Sequence, residues 1–419
     1  MERKTLYPFI ELRNGELYIE ELPALEIAEK FSTPAYVYSA NAFRWWFNEF
    51  NSAFSQVEHT TCFAVKANSN VWVLKLLAEL GAGADTVSAG EIHRALTAGI
   101  SPKKIVFAGV GKRPDEIEFA LERDILMINV ESESELETVN RVGEKLGKKA
   151  PIALRVNPEV DPKTHPYIST GLHEAKFGVD YERAVELYKK AKEMKWVNPV
   201  GIHFHIGSQI TDTSAFGEAA EKVAELVKEL HSLGIEVELF DAGGGLGVNY
   251  NPQEPPVPSE ELAKQLIPAV KELGCKLILE PGRRISANAG VLLTKLLYIK
   301  RRPNKTFYIV DAGMNDLARP ALYGAYHHIV PVVNKGRKTE TVDVVGPICE
   351  TGDILAKGRE LPECSEGDIL AVLSAGAYGF TMASNYNSRP RPPEILVEGS
   401  STRVIRQRET ISDLLAREF

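Results

Sequence analysis

Thr61-Cys62-Phe63-Ala64-Val65-Lys66-Ala67-Asn68 is an apolar run that ends in a lysine and then breaks. Directly after it, Val71 to Leu80 repeats its apolar residues at helical spacing, and Gly81 follows the last turn. The alternation then recurs. β-rich runs lie near 83–87, 104–110, 125–130, 152–158, 199–207, 237–243 and 276–280, and helical patterns include Ser132 to Leu146, Tyr181 to Met194, Phe216 to Leu233 and Ser259 to Leu273. Ser132 with Glu135 has capping-box spacing, and Gly147, Gly234 and Gly274 stand where helices end. With a last helix near 286–296, the pattern makes eight strand–helix units, the expected size of a closed (β/α)8 TIM barrel. A doubly wound open α/β sheet obeys the same alternation and is the competing reading.

The rhythm changes after about residue 297. Lys305 to Asp311, Thr341 to Val345, Asp368 to Ser374 and Glu394 to Glu398 read as strands with Gly and Pro between them. Phe9 to Ile19 and Ala35 to Ser39 read as strands too. Both ends are therefore expected to build one β domain around an inserted barrel: residues 1–40 as N-terminal strands, 41–285 as the barrel and 286–419 as the C-terminal β domain. The segment Pro158 to Gly178, with Gly171, His173 and Lys176, is long for a βα loop and reads as an active-site lid around His165 to Gly178.

A formal net charge of −8 offers no basic field for nucleic acid and no polybasic patch for a membrane surface, so a small molecule is the expected ligand. Cys62, Cys275, Cys349 and Cys364 are far apart, which excludes a C-x-x-C site and suggests a reducing compartment. Met1-Glu2-Arg3-Lys4 leads into mixed charge, and no run has the apolar length of a membrane span. A cytoplasmic protein is expected.

Barrel enzymes build their sites at the C-terminal ends of the strands, and the polar residues collect there. Lys66 ends the first strand, Asp85 lies near the end of the second and Arg155 is in the fifth. The sixth runs into His203-Phe204-His205-Ile206-Gly207-Ser208, the seventh into Asp241-Ala242-Gly243-Gly244-Gly245-Leu246-Gly247, and the eighth into Glu280-Pro281-Gly282-Arg283. Burial at a strand end disfavours a charged lysine and would free the amine of Lys66 to attack a carbonyl, whereas the bland reading is a lysine snorkelling to solvent. Gly243 to Gly247 and Gly282 follow strands seven and eight, where backbone N–H groups and a helix N-terminus can cradle a phosphate. A dinucleotide fingerprint fails on spacing, because Val248 or Tyr250 stands where the third glycine belongs. His203 and His205 share a strand face, but no cysteine or carboxylate cluster nearby in sequence completes a metal set, so no metal is expected. If the ligand is pyridoxal phosphate, Glu280 can keep a pyridine nitrogen protonated, which favours decarboxylation over racemisation.

Taken together, these motifs, with Cys349-Glu350-Thr351-Gly352-Asp353 and Gly376-Ala377-Tyr378-Gly379, resemble the alanine-racemase-fold pyridoxal enzymes, and within them the diaminopimelate decarboxylase family. The resemblance covers nearly the whole chain. It implies a pyridoxal 5'-phosphate barrel completed by a β domain, usually in a homodimer with shared sites. It implies that Lys66 carries the cofactor as a Schiff base, that His205 stacks on its ring, that Glu280 meets the pyridine nitrogen, and that Asp85 and Arg155 support them. Ser208, Gly243, Gly244, Gly245, the Pro281-Gly282-Arg283 backbone and Tyr378 would hold the phosphate. Cys349 would be the proton donor, supplied by the partner subunit, and Arg283, Arg319, Tyr323, Glu350 and Tyr378 would contact substrate. The reaction implied is decarboxylation of meso-2,6-diaminopimelate at its D-centre to L-lysine, the last step of lysine biosynthesis. Arginines suit the distal carboxylate of that substrate and an acid suits its ammonium. Decarboxylation of ornithine, arginine or carboxynorspermidine, and a non-catalytic pyridoxal-phosphate carrier, remain the alternatives.

Overall fold

In the computed structural model, which describes residues 3–161, 176–334 and 336–418, eight parallel strands pair each with the next and the last with the first. They are β1 (His59–Ala64), β2 (Gly83–Thr86), β3 (Ile105–Phe107), β4 (Met127–Val130), β5 (Ala150–Asn157), β6 (Val197–His203), β7 (Leu239–Asp241) and β8 (Lys276–Leu279). The pairing of Leu277 with His59 and of Leu279 with Thr61 closes the ring and decides against the open sheet.

Strand periodicity explains why the barrel floor is apolar and its mouth polar. Cys62, Val106, Met127, Ala153 and Ile278 form one buried cluster, with Leu239 packed against it. Successive side chains alternate faces, so the residue two positions further along shares the inward direction. Two positions beyond Met127, Ala153, Leu239 and Ile278 stand Asn129, Arg155, Asp241 and Glu280, and all four are buried. One step up the barrel axis, the packing changes from hydrocarbon to ionisable groups.

A bulge between β5 and β6 shows how local sequence repairs a broken ladder. The register slips between Ile152 and Ala153. Tyr188, on the helix Tyr181–Glu193, accepts from the Leu154 amide (3.2 Å) and donates to the Gly201 carbonyl (2.7 Å), joining the two strands from outside.

The chain separates into two compact units: Phe47–Val248 with Val257–Arg284, and Met1–Trp46 with Asn249–Pro256 and Ile285–Phe419. In the second unit, Ala35–Ser39 lies between the strands Gly290–Arg302 and Glu394–Glu398, so the N-terminal segment does enter the C-terminal β sheet. Phe9 to Ile19 folds back on itself as the hairpin Ile10–Arg13 and Glu16–Ile19, because Asn14 and Gly15 (φ +50° and +82°) make a two-residue turn. Glu20 ties this hairpin down, accepting from Ser39 Oγ (2.6 Å), Asn41 N (2.9 Å) and the Gly399 amide.

The helix expected near 286–296 is not there. A four-residue helix, Arg283–Ser286, and one tight turn lead into the 13-residue strand Gly290–Arg302. Val291, Leu292, Leu293 and Thr294 are all fully buried, so the run has no polar face, and periodicity cannot separate helix from strand in such a segment. Of the expected lid, residues 162–175, including His165, Gly171 and His173, lie outside the described residues. No helix among the described residues is long and apolar enough to cross a membrane.

Replacing Tyr188 with Phe should leave the fold intact but cost about 1–3 kcal/mol, because a buried N–H and C=O lose their partner. Urea denaturation monitored by circular dichroism checks this, and an unchanged midpoint would contradict the repair role.

Candidate active site

Lys66 sits in a single 3-10 turn, Val65–Ala67, immediately beyond β1. Its Nζ lies 2.6 Å from Oδ2 of Asp85, at the end of β2, and 39% of its side chain is exposed. The expectation of a lysine sealed into a strand end is thus corrected. The strand stops at Ala64, and the amine is held by an acid rather than stripped of solvent by burial.

Beneath it lies a group of buried acids. Asp241 accepts from the Gly243 amide (3.0 Å) and from Asn129 Nδ2 (3.2 Å), and the same Asn129 nitrogen is 3.5 Å from Glu280. His203 Nε2 stands 3.5 Å from Glu280 Oε2, a distance that suits charge attraction more than a well-formed hydrogen bond. Burial drives the Asp241 carboxyl well above its ordinary range, and the charge of Glu280 adds to this. Burial acts on Glu280 in the same sense, but His203 and Lys66 outweigh it and hold that carboxyl below its usual value. Asp85 is raised by burial and by Glu280, against the pull of Lys66. The outcome is a division of labour: Glu280 carries the charge and Asp241 the proton. Sequence reading found no carboxylates to join His203. Barrel closure supplies two, with His203, Asp241 and Glu280 offering ligand atoms within 4.8 Å of one another.

His205 follows β6. The Gly244 amide donates to its Nδ1 (3.2 Å), so Nδ1 is unprotonated. Burial, then Arg155 and Lys66, push its pKa far down and keep the ring neutral. The loops after β6, β7 and β8 are laced together: Ile210 N bonds to Gly245 O (3.0 Å), Gly247 N to Ile210 O (2.8 Å), and Arg283 Nη2 donates to Ser208 Oγ (3.0 Å). The glycines have a packing reason as well as the expected ligand reason. A Cβ on Gly244 would overlap the carbonyl oxygen of Glu280. The helix expected to lend its dipole after Gly282 has only four residues. Arg155 pairs with Glu131 (3.1 Å), whose oxygens also accept from the Gly109 and Gly178 amides. Asp85 Oδ1, Asn129 Oδ1 and Arg155 Nη2 are buried polar atoms without a hydrogen-bond partner among the described residues, so this layer is finished for a polar guest rather than for a sealed core.

The remaining expected residues belong to the β unit. Pro320 near the start and Gly324 at the end confine a one-turn helix, Arg319–Tyr323, whose two named ends are four residues apart and share a face. Cys349 and Glu350 are exposed. Their loop is pinned from below by Asp353, which accepts from Ile348 N (2.7 Å) and Met314 N (2.6 Å). It is steadied from the side, where Cys349 N donates to Asn387 Oδ1 (2.7 Å) and Tyr386 OH to Glu350 (2.7 Å). Tyr378 is half-buried with φ +54°. Asn129, Asp241, Asp353, Tyr386 and Asn387 received no role from the sequence. Asn129 had a signal, being the one amide in the apolar run Ile125 to Val130, whereas Asn387 had none.

Asparagine at 241 can still accept from the Gly243 amide through its one oxygen, gives up the bond accepted from Asn129 Nδ2, and removes the titrating proton. A raised acid contributes stability that is complete below its unfolded pKa and is lost as pH rises through its folded pKa. Asp241→Asn should therefore reduce the fall of Tm as pH rises above the ordinary carboxylate range, as measured by calorimetry. A slope identical to wild type would assign the proton elsewhere.

Residues 41–287 match the family described as pyridoxal-dependent decarboxylase, pyridoxal binding domain. The diaminopimelate decarboxylase of Aquifex aeolicus is 52% identical over 406 residues, 97% of this chain and 96% of its own. The crystal structure of diaminopimelate decarboxylase from Helicobacter pylori complexed with L-lysine is 47% identical, with a TM-score of 0.91 over 94% of this chain and 99% of that one. The M. jannaschii enzyme in co-complex with L-lysine is 42% identical, with a TM-score of 0.95 over 99% of both chains. Near-complete coverage at these identities, on a closed barrel with an amine, an acid layer and laced loops at its mouth, places the chain in the diaminopimelate decarboxylase family of pyridoxal-phosphate-dependent enzymes.

Proposed function

We propose that this protein decarboxylates meso-2,6-diaminopimelate at its D-centre and releases L-lysine, with the site residues acting as follows. Lys66 Nζ would hold pyridoxal phosphate through its aldehyde, and Asp85, 2.6 Å away, steadies that nitrogen. Ser208, Gly243 to Gly245, Pro281-Gly282-Arg283 and Tyr378 would hold the phosphate. The bound cofactor supplies an electron sink for the pair left when carbon dioxide departs. Glu280 keeps a proton on the pyridine nitrogen. It can do so because Asp241, not Glu280, bears the proton of the buried acid pair. The placement of Glu280, buried just beyond β8 and 3.5 Å from His203, is the single observation that favours decarboxylation. His205, neutral and buried, offers a flat face that adds no charge beside the ring.

Arg283, Arg319, Tyr323, Glu350 and Tyr378 would grip the substrate. The arginines take the carboxylate that is retained, and Glu350 takes its neighbouring ammonium. A substrate without that carboxylate would leave buried guanidinium charge uncompensated, which disfavours ornithine. After carbon dioxide leaves, the Cys349 thiol delivers its proton to the carbon that lost the carboxylate, and solvent returns a proton to the sulfur. The exposure of Cys349 and Glu350 on an anchored loop supports a homodimer in which each chain lends that loop to its partner's site. Four free thiols suit a cytoplasmic setting.

The product assay is the test. Purified protein with pyridoxal phosphate should release carbon dioxide and L-lysine from meso-diaminopimelate, and turnover of ornithine alone would remove the substrate assignment. Borohydride reduction followed by peptide mapping should label Lys66. Mixing inactive Lys66→Ala and Cys349→Ala chains should recover about one quarter of wild-type activity, since half of the dimers would then contain one intact site. No recovery on mixing would place the thiol in its own subunit's site.

A further inference from the structure

Arg319 is 5% exposed, and its Nη1 lies 2.7 Å from Nε2 of the fully buried His327. The other ring nitrogen of His327 lies 2.8 Å from the carbonyl oxygen of Leu373. These two contacts fix the state of the ring. A carbonyl only accepts, so Nδ1 carries the proton, and a guanidinium only donates, so Nε2 offers its lone pair. One neutral tautomer satisfies both partners; the cation turns an N–H toward the guanidinium, and the other tautomer mismatches both partners. Tyr250 completes the seat. The Arg319 guanidinium lies 4.6 Å from the centre of its ring, and the same ring meets His327 edge to face at 5.2 Å.

The choice of histidine has a chemical consequence. An aspartate or glutamate could anchor the guanidinium as firmly, but it would cancel the charge that a ligand carboxylate needs. A neutral imidazole orients the arginine and leaves its charge in place. We propose that His327 is a positioning residue for substrate recognition: through its Nε2 acceptor, and with Tyr250 beneath, it aims Arg319 at the carboxylate that is retained in the product. This rests on the reading of Arg319 as a carboxylate-binding residue. His327 thereby sets the preference for an amino acid over the corresponding diamine without touching either.

The test compares the competition of two ligands with substrate on the holoenzyme, L-lysine and cadaverine, which differ only in that carboxylate. His327→Asn keeps a donor for Leu373 and loses the acceptor for Arg319. It should raise the inhibition constant of L-lysine and the KM for meso-diaminopimelate by roughly tenfold, with the cadaverine constant unchanged and kcat within about threefold. His327→Gln, which can place an amide oxygen near the Nε2 position, should restore most of the L-lysine affinity. A rise in both inhibition constants, or in neither, would overturn the positioning role. Arg319→Ala separates the two claims: if it too leaves L-lysine inhibition unchanged, the reading of Arg319 fails, whereas an effect there without one in His327→Asn sinks the histidine alone. Should the variants not fold, side-chain 15N shifts of the wild-type enzyme decide, since a His327 ring protonated at Nε2 contradicts the proposal.

Discussion

Asp85, Asp241 and Glu280 are buried in one layer of the barrel, and three carboxylates cannot all stay charged in so little solvent. The rest of the site follows from how the molecule settles that conflict. Lys66 meets Asp85, His203 faces Glu280, and Asn129 reaches toward both Glu280 and Asp241. Charge gathers on Glu280, where basic groups surround it, and the proton stays on Asp241, because burial and the charge of Glu280 outweigh the Gly243 and Asn129 donors that favour its anion. An acid that remains ionised in a dry layer is what a pyridine nitrogen needs beside it to hold a proton. The same conflict costs stability, and the closely packed apolar floor below has to offset it.

The β unit solves a different problem, which is to hold exposed or short-helix side chains without letting them wander. Cys349 and Glu350 are exposed, yet the loop beneath them is fastened by the carboxylate of Asp353 and flanked by Asn387 and Tyr386. Arg319 and Tyr323 stand on a single helical turn bounded by Pro320 and Gly324, too short to be stable in isolation and therefore dependent on its packing. In the first place orientation comes from hydrogen bonds among the surrounding loops, and in the second from the contacts of Arg319 with His327 and Tyr250.

The barrel was legible because its strands and helices announce themselves by period and by their caps, as at Ser132, whose hydroxyl accepts from Glu135 N (3.2 Å). The polar mouth was half legible. Arg155 and Glu280 stand out in apolar runs, whereas Asp241 read as the start of a glycine loop and Asn129 went unremarked, since their meaning depends on strands far apart in sequence coming together. The strand Gly290–Arg302 misled for the opposite reason: its first five residues are buried on every side and have no face to betray their geometry. His327 was invisible as a functional residue, because its partners are an arginine eight positions away and a carbonyl 46 positions away.

The excursion Asn249–Pro256 leaves the barrel in chain order and belongs in space to the β unit. It carries Tyr250, on which the Arg319 guanidinium rests. The two units are therefore not interchangeable parts. A chimaera that spliced another homologue's C-terminal region onto this barrel would import a new arginine while keeping the old tyrosine under it, so recombination within the family has to move a short internal loop together with the distant terminus.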